Sequence, residues 1–307
     1  MSLLKDALES GKFGITAEMA PPKGYDFSEQ MEAAELLAGK VHGVNVTDMQ
    51  SASLKATGLG LCIKLKQAGV EPILQMTGRD RNRMALMGDA LAAAAFGIDT
   101  MLALTGDHPV VGDCKDTKPV YDLDSVGILK MLSKMEATGC DCGGNELAGG
   151  APTFYKGASV TPVYEPLFLQ INKLRQKVDA GAMYIQTQGI FDLDTFKRFM
   201  EEVDKAGIKT HIMAGIIPLK AAGMAKYMNE NVPGIDVPQD MIDRLAAAAA
   251  EGKEKGVKGL PMQLGIEMAA EMIAKIKDEK LCDGVHIMAI GAEKNVPTIL
   301  EKAGLSI

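Results

Sequence analysis

The sequence predicts an α/β protein with a (β/α)8 barrel fold. Eight short apolar segments recur along the chain, and most of them end in a polar or acidic residue. Helix-like stretches follow the first seven segments, and strands that alternate with helices pair in parallel because a parallel crossover needs a long connection. Eight such units are the number that closes a barrel. The predicted strands are Phe13–Glu18, Val41–Thr47, Glu71–Thr77, Ile98–Thr105, Tyr155–Thr161, Met183–Gln188, Ile208–Ala214 and Gly284–Ile290.

The spacing of these segments predicts one domain over residues 1–307, with insertions after strands 4 and 7. Successive strands begin at 13, 41, 71 and 98, and then at 155, 183, 208 and 284. The first insertion contains a helix candidate, Leu123–Thr138, and a Gly-rich segment, Gly139–Pro152, that reads as an extended connection or a small hairpin. The second insertion predicts helices at Leu219–Asn229, Pro238–Lys255 and Pro261–Glu279, which we expect to pack on the barrel wall.

Composition and charge argue against several classes of protein. The net charge of −7 and the lack of a basic cluster are unfavourable for nucleic-acid binding, which depends on Lys and Arg. No apolar stretch is long enough to predict a membrane span, and the N-terminal segment 1–12 lacks the apolar core of an export signal. Five cysteines in such a chain do not indicate a disulfide framework, so we expect a cytoplasmic protein.

Polar residues collect at the carboxyl ends of the predicted strands. In a (β/α)8 barrel these ends form the active-site face. A barrel that served only as a scaffold would not need such groups at one rim, so the pattern predicts a functional site there. The residues are Glu18, Thr47, Asp48, Gln75, Thr77, Thr105, Asp107, Thr161, Gln186 and Gln188.

Two carboxylates at this face are candidates for catalysis. Glu18 is flanked by Met19, Ala20 and two prolines, and partial desolvation favours the protonated form that a general acid requires. The alternative is an ion pair with a Lys or Arg of the barrel. Asp107 follows Gly106, which permits a tight turn and a close approach of a ligand to the backbone. The alternative for Asp107 is an Asx turn, since a His-Pro pair follows it.

Other patterns are weaker. Gln186 and Gln188 share one face of strand 6, and a carboxamide both donates and accepts hydrogen bonds, which suits the edge of a pterin or flavin ring or a neighbouring strand end. The four histidines are dispersed without metal-ligand spacing. Cys140 and Cys142 form only Cys-x-Cys, with Cys114 in the same insertion, and their role stays open. No dinucleotide-binding, phosphate-loop or nucleophile-elbow motif is present, which disfavours Rossmann dehydrogenases, P-loop enzymes and α/β-hydrolases.

An ordered set of motifs over essentially the full chain resembles the signature of methylenetetrahydrofolate reductases, most closely the branch of anaerobic bacteria that run one-carbon chemistry on folate. The resemblance implies a barrel that carries a flavin, FAD or alternatively FMN, at its C-terminal face. It also implies a cytoplasmic enzyme of one-carbon metabolism and methionine biosynthesis that reduces 5,10-methylenetetrahydrofolate to 5-methyltetrahydrofolate. The motifs are Ala17-Glu-Met-Ala-Pro-Pro22, Val44-Asn-Val-Thr47, Leu104-Thr-Gly-Asp107, Lys177-Val-Asp-Ala-Gly-Ala182, Thr187-Gln188, Phe191-Asp192, Gly215-Ile-Ile-Pro218 and Gly284-Val-His-Ile-Met288.

The resemblance also implies roles for individual residues. Glu18 matches the general acid that assists opening of the five-membered ring, and Asp107 matches an aspartate whose charge favours the resulting cation. Gln188 matches a glutamine that contacts the pterin, and Lys177 is expected at the flavin phosphate. The residues expected to bind the flavin are Thr47, Gln75, Thr105, Gly106, Asp107 and Lys177.

The chain departs from well-studied members of the family at four places, one of which is the divergent segment Ser159-Val-Thr-Pro-Val-Tyr164. Gln75 stands where they have a flavin-binding His, and Met228, which we still expect at the substrate, stands where they have a Phe. The segment Ile290-Gly-Ala-Glu293 lacks the Arg expected for the glutamate tail of the folate. We therefore consider both NAD(P)H and an iron–sulfur subunit, as in related anaerobic enzymes, as the electron donor, and we expect a homo- or hetero-oligomer.

Two rival hypotheses keep the predicted barrel. In the first, hydride passes directly from a nicotinamide to the folate without a flavin. In the second, the chain is a folate-binding or electron-transfer subunit that is inactive without its partner.

Overall fold

The computed structural model describes residues 2–307 and consists of a closed barrel of eight parallel strands in sequential order, with β8 paired to β1. Each predicted segment overlaps one strand, so the predicted (β/α)8 fold is confirmed. The largest shifts are at β7, which begins three residues later than predicted, and at β8, which ends three residues earlier. The strands are β1 Gly14–Met19, β2 Gly43–Val46, β3 Pro72–Thr77, β4 Thr100–Leu104, β5 Tyr155–Val160, β6 Tyr184–Gly189, β7 His211–Ile216 and β8 Gly284–Ile287.

Helices surround the barrel, and several begin at a polar side chain that caps the first turn. Asn82 accepts a hydrogen bond from the backbone N–H of Ala85, and Asp192 accepts one from Thr195. The helices are α1 Leu3–Glu9, α2 Ser28–Leu37, α3 Gly58–Gln67, α4 Arg83–Ala95, α5 Ser125–Thr138, α6 Leu167–Asp179, α7 Leu193–Lys205, α8 Ala222–Asn231, α9 Gln239–Lys255, α10 Leu260–Asp278 and α11 Val296–Lys302. None of the helices within residues 2–307 is long and apolar enough to cross a membrane.

Both insertions lie where the spacing predicts them. In the first, Asp124 caps the backbone N–H of Gly127, so α5 begins two residues later than predicted. In the Gly-rich segment after α5, an antiparallel bridge joins Cys140 and Glu146. Of the two predicted alternatives, the segment therefore forms a small hairpin rather than an extended connection. The second insertion contains α8, α9 and α10, as predicted.

The amino end of the barrel is closed by apolar side chains. Leu4 and Leu8 of α1 pack against Tyr184 and Met213, together with other buried residues of the strands. Tyr184 stacks on Tyr155 with 5.1 Å between ring centroids. Because this end is filled, a ligand can enter the barrel only from the carboxyl ends of the strands.

The second insertion lies against the carboxyl ends of β5, β6 and β7. Residues of α8, α9 and α10 form a hydrophobic cluster with Phe191 and Ile217, which follow β6 and β7. Between α8 and α9, Gly234 has a φ of +82°, and a Cβ there would lie 2.4 Å from the Cγ2 of Thr161. The segment between α8 and α9 therefore lies close to the carboxyl end of β5, in addition to the packing of the three helices on the barrel wall.

Candidate active site

A cavity of about 560 Å³ opens at the carboxyl ends of the strands, and we call it the central cavity. Its volume is in the range of sites for organic ligands and cofactors. Every strand except β7 contributes to its lining, either directly or through the residues that follow it. Among the predicted site residues, those that line it are Glu18, Thr47, Asp48, Gln75, Thr77, Thr105, Gly106, Asp107, Thr161, Lys177, Gln186 and Gln188.

Met228 is the one predicted site residue that the structure places elsewhere. It is 5% exposed and packs in the hydrophobic cluster of α8, α9 and α10. The helix turns this side chain toward the barrel wall, where a flexible thioether fills space between apolar neighbours. Its predicted contact with a substrate is therefore not supported by its position.

Glu18 projects from β1 into the central cavity and is 8% exposed. One carboxylate oxygen accepts a hydrogen bond of 3.3 Å from the side chain of Gln50, and the other lies 3.7 Å from Nε2 of His286. Within residues 2–307 neither Lys nor Arg pairs with it, so the alternative of a structural ion pair does not hold. Its neighbours are thus a carboxamide that donates a hydrogen bond and an imidazole ring.

A chain of buried polar side chains continues from His286 across the barrel. Nδ1 of His286 lies 2.9 Å from Oγ1 of Thr16, which accepts a hydrogen bond from the amide of Gln186. Nε2, the other ring nitrogen of His286, faces Glu18. Gln186 in turn exchanges two hydrogen bonds with Asn45 on the opposite wall.

His286 was not recognised as a site residue in the sequence, where the four histidines looked dispersed. It lies in β8, which pairs with β1 only because the barrel closes, and Thr16 and His286 are partners in that register. One feature of the sequence could have identified it. Side chains alternate along a strand, so in the last strand His286 points to the face opposite to that of its neighbours Val285 and Ile287.

Arg79 is the second residue that the sequence did not reveal, although it follows β3 in the segment Thr77-Gly-Arg-Asp80. Its side chain is 2% exposed and lines the central cavity. The guanidinium donates to the carbonyl oxygens of Met49 and Asp107 and makes two hydrogen bonds to the carboxylate of Asp80. One cation thereby connects the loops that follow β2, β3 and β4.

The turn after β4 presents Asp107 to the cavity. An Asx turn at Asp107 is not formed, because the residue two positions on is Pro109, which has no N–H. The side chain of His108 accepts the hydrogen bond from the N–H of Val110, and within residues 2–307 the Asp107 carboxylate has no hydrogen-bond or ionic partner. Gly106 has a φ of +89°, and its carbonyl accepts a hydrogen bond from the Tyr121 hydroxyl. Thr105 accepts from the first N–H of α5 and so fixes this turn to the helix.

The loop between β2 and α3, residues 47–57, forms one side of the cavity mouth and has an unusual backbone. Met49, Ser51 and Ala52 all have φ between 53° and 54°, a region that L-residues seldom adopt. The loop is held by Arg79 and by Asp113, whose carboxylate accepts from Leu54 and pairs with Lys23. The hydrogen bond from Lys23 lowers the pKa of Asp113 to about 2.

Polar groups without partners face the cavity from several strands. Oγ1 of Thr47 is buried and has no hydrogen-bond partner in residues 2–307. The side chain of Gln75 is also buried and makes no hydrogen bond within the described chain. Gln188 accepts from the backbone N–H of Gly189, which leaves its amide N–H groups available. Buried polar groups are normally satisfied, so this set fits a polar ring system that supplies the missing partners.

Two lysines stand together at the edge of the cavity. Lys173 and Lys177 lie one turn apart on α6, and both line the cavity. Lys177 donates to the carbonyl oxygen of Ser159. Burial and, secondarily, the charge of Lys173 lower the pKa of Lys177 to about 8. An anionic group placed here would relieve that repulsion, so the pair suits a phosphate.

The cysteines do not contribute to this site. Cys114 is exposed, and Cys140 and Cys142 lie in the hairpin after α5. Residues 2–307 contain no group of three or more His, Cys, Asp or Glu side chains that could hold a metal ion.

Comparison with known proteins gives a consistent result. The family model for methylenetetrahydrofolate reductase matches residues 3–304. "Probable methylenetetrahydrofolate reductase (NADPH)" of Caenorhabditis elegans is 26% identical over 83% of this chain and 34% of its own length. "Probable methylenetetrahydrofolate reductase (NADH)" of Oryza sativa is 31% identical over 98% of this chain and 50% of its own length. The chain thus spans about a third to a half of these two relatives.

A solved structure from Clostridium thermocellum has the same fold. It superimposes with a TM-score of 0.65 at 14% identity, covering 98% of this chain and 100% of that one. That protein is described as an uncharacterized protein that binds two copies of 5-methyl-5,6,7,8-tetrahydrofolic acid. Since the family model spans nearly the whole chain, the protein belongs to the methylenetetrahydrofolate reductase family.

Proposed function

We propose that the chain reduces 5,10-methylenetetrahydrofolate to 5-methyltetrahydrofolate with a flavin as the hydride carrier, and that residues 1–307 act as one flavin-binding domain. The observation that carries the proposal is the buried Glu18, which faces Nε2 of His286 at the floor of a cavity lined by unpartnered polar groups. Family membership supports the reaction, and the cavity supports the use of an organic cofactor.

The residues of the central cavity fit a flavin. Thr47 and Gln75 offer unpartnered polar groups to a ring edge, Thr105 and Gly106 form the adjoining turn, and Lys177 is placed for a phosphate. We propose FAD, with FMN as the alternative. When bound, the reduced flavin supplies hydride to the exocyclic carbon of the folate.

The side chains around the folate donate a proton to it and stabilise the charge that develops on it. Glu18 donates a proton to the ring nitrogen that leaves the carbon as the five-membered ring opens. Nε2 of His286 then faces the carboxylate that remains. The unpaired carboxylate of Asp107 stabilises the iminium cation, and the free amide N–H groups of Gln188 bind the pterin edge.

The electron donor is proposed by analogy. The names of two relatives cite NADPH and NADH, which supports NAD(P)H. The alternative is an iron–sulfur subunit in a hetero-oligomer, for which the exposed Tyr25, Leu54, Val110 and Val111 near the cavity mouth offer an apolar surface. The described binding of 5-methyltetrahydrofolate by the Clostridium protein supports a folate ligand under either arrangement.

The direct test is a visible absorption spectrum of the purified protein. We expect a flavin spectrum that bleaches on anaerobic reduction and returns when methylenetetrahydrofolate is added. A folded but colourless protein that takes up neither FAD nor FMN would overturn the flavin mechanism. In that case direct transfer from a nicotinamide, or a folate-binding role with a partner, would replace it.

Flavin affinity is expected to depend on pH through Lys177. Its lowered pKa of about 8 means that above this pH the free protein loses the charge that a phosphate needs. Binding then requires uptake of a proton, so affinity should fall by up to about tenfold per pH unit above pH 8. Fluorescence titration with the flavin from pH 7 to 9.5 measures this.

The matched variant is Lys177→Arg, because a guanidinium stays protonated over this range. Its flavin affinity should vary less with pH, whereas Lys64→Arg on the exposed face of α3 should follow the wild type. A wild-type affinity that is constant from pH 7 to 9.5 would rule out a phosphate at Lys177.

A further inference from the structure

A second cavity of about 590 Å³ adjoins the central one, and we call it the outer cavity. The two cavities share Glu18, Gln50 and Ser51. The outer cavity extends from Glu18 between the turn after β1 and residues 290–293 after β8, with α2 along one side. A ligand whose reacting atoms lie at Glu18 can therefore continue out of the central cavity into this one.

The first part of the outer cavity is apolar. Pro21 and Pro22 follow β1, Ala33 lies on α2, and Ile290 follows β8. Proline and aliphatic side chains give flat contact to an aromatic ring without competing hydrogen bonds. This part of the cavity therefore suits an aryl group that is connected to the atoms at Glu18.

Two polar groups in the outer cavity lack partners. Oε1 of Gln30 is buried and unpartnered within residues 2–307, which leaves an acceptor for an N–H donor. Lys55 is half-buried, and within that range it pairs with no carboxylate. Lys23, the other lysine of the lining, is already engaged by Asp113. Lys55 is thus the available cation.

The acidic residues of the lining limit what this cation can bind. Glu293 accepts a hydrogen bond from the backbone N–H of Gly291, and Glu29 is exposed on α2. Both carboxylates repel a chain of many negative charges. A short anionic tail that reaches Lys55 is compatible with them, whereas a long polyanion is not.

We propose that the outer cavity binds the p-aminobenzoyl-glutamate arm of the folate, with the aryl ring on the prolines, the amide N–H on Gln30 and a glutamate carboxylate on Lys55. This inference rests on the proposed function. It also gives the chain a residue for the tail, although the expected Arg after β8 is absent.

The test measures equilibrium binding of 5-methyltetrahydrofolate by calorimetry and needs no turnover. Lys55→Ala should weaken binding about five- to tenfold. It should leave binding of 5-methyltetrahydropteroate, which lacks the glutamate, unchanged. Lys64→Ala on α3 is the matched control and should bind both ligands like the wild type. Gln30→Leu should weaken binding of the folate only, because the pteroate ends in a carboxylate and has no amide N–H to donate to Oε1 of Gln30.

The possible outcomes separate the two proposals. Equal loss of affinity for both ligands in Lys55→Ala, or no loss for either, would overturn the assignment of the glutamate to Lys55. Wild-type protein that binds neither ligand would count against the proposed folate reductase itself. If the wild type binds folate and pteroate equally well, the tail does not contact the protein and the inference fails.

Discussion

Glu18→Gln is expected to bind flavin and fold normally but to lose folate reduction by about 10²- to 10⁴-fold, the usual contribution of a general acid. The amide has nearly the same shape, and its one oxygen can still accept the hydrogen bond from Gln50. It cannot deliver a proton to the leaving nitrogen. Transition-state stabilisation is therefore lost with little change in packing.

Two half-reactions measured separately test this prediction. Reduction of the flavin by its donor should be nearly unaffected, and re-oxidation by methylenetetrahydrofolate should be slow. Glu35→Gln, on the exposed face of α2, serves as the control and should match the wild type in both. Full folate reduction by Glu18→Gln would refute the assigned acid and shift attention to His286.

Arg79→Met is expected to lower the free energy of unfolding by about 2–4 kcal/mol. The substitution keeps much of the apolar length of the side chain but removes four hydrogen bonds. The carbonyl oxygens of Met49 and Asp107 lose their partner, and the strained loop after β2 loses a support. Flavin binding should weaken as well, because two loops that line the cavity become less ordered.

Arg83→Met is the control for Arg79→Met. Arg83 pairs with Asp122 through exposed side chains, and such pairs contribute about 1 kcal/mol or less. Urea denaturation followed by circular dichroism compares the two variants on the same scale. Equal and small losses of stability would show that the buried guanidinium does not hold the loops together.

The fold could be predicted from the sequence because several independent features all indicated a (β/α)8 barrel. Apolar strand segments, helical spacing between them and polar residues at the strand ends are all local properties. The two longer gaps also located the insertions. The shifts at β7 and β8 arose because flanking apolar residues such as Ile208 and Ile290 look like strand residues but lie in connections.

The parts of the site that could not be predicted from the sequence depend on the closure of the barrel and on the direction in which individual side chains point. His286 and Thr16 are 270 positions apart and meet only when β8 pairs with β1. Asn45 and Gln186 meet across the barrel interior. Met228 matched a functional position of the family, but a methionine suits either face of a helix, and α8 buries it.

The shared wall between the two cavities has a consequence for attempts to engineer this protein. Gln50 and Ser51 face both cavities, and the loop that carries them is fixed by Arg79 and Asp113. Because this one loop lines both cavities, a change in it affects both the selectivity for ligands and the rate of turnover. A library that varies this loop to accept other ligands would simultaneously disturb the acid at Glu18, so variation confined to α2 offers the more independent route.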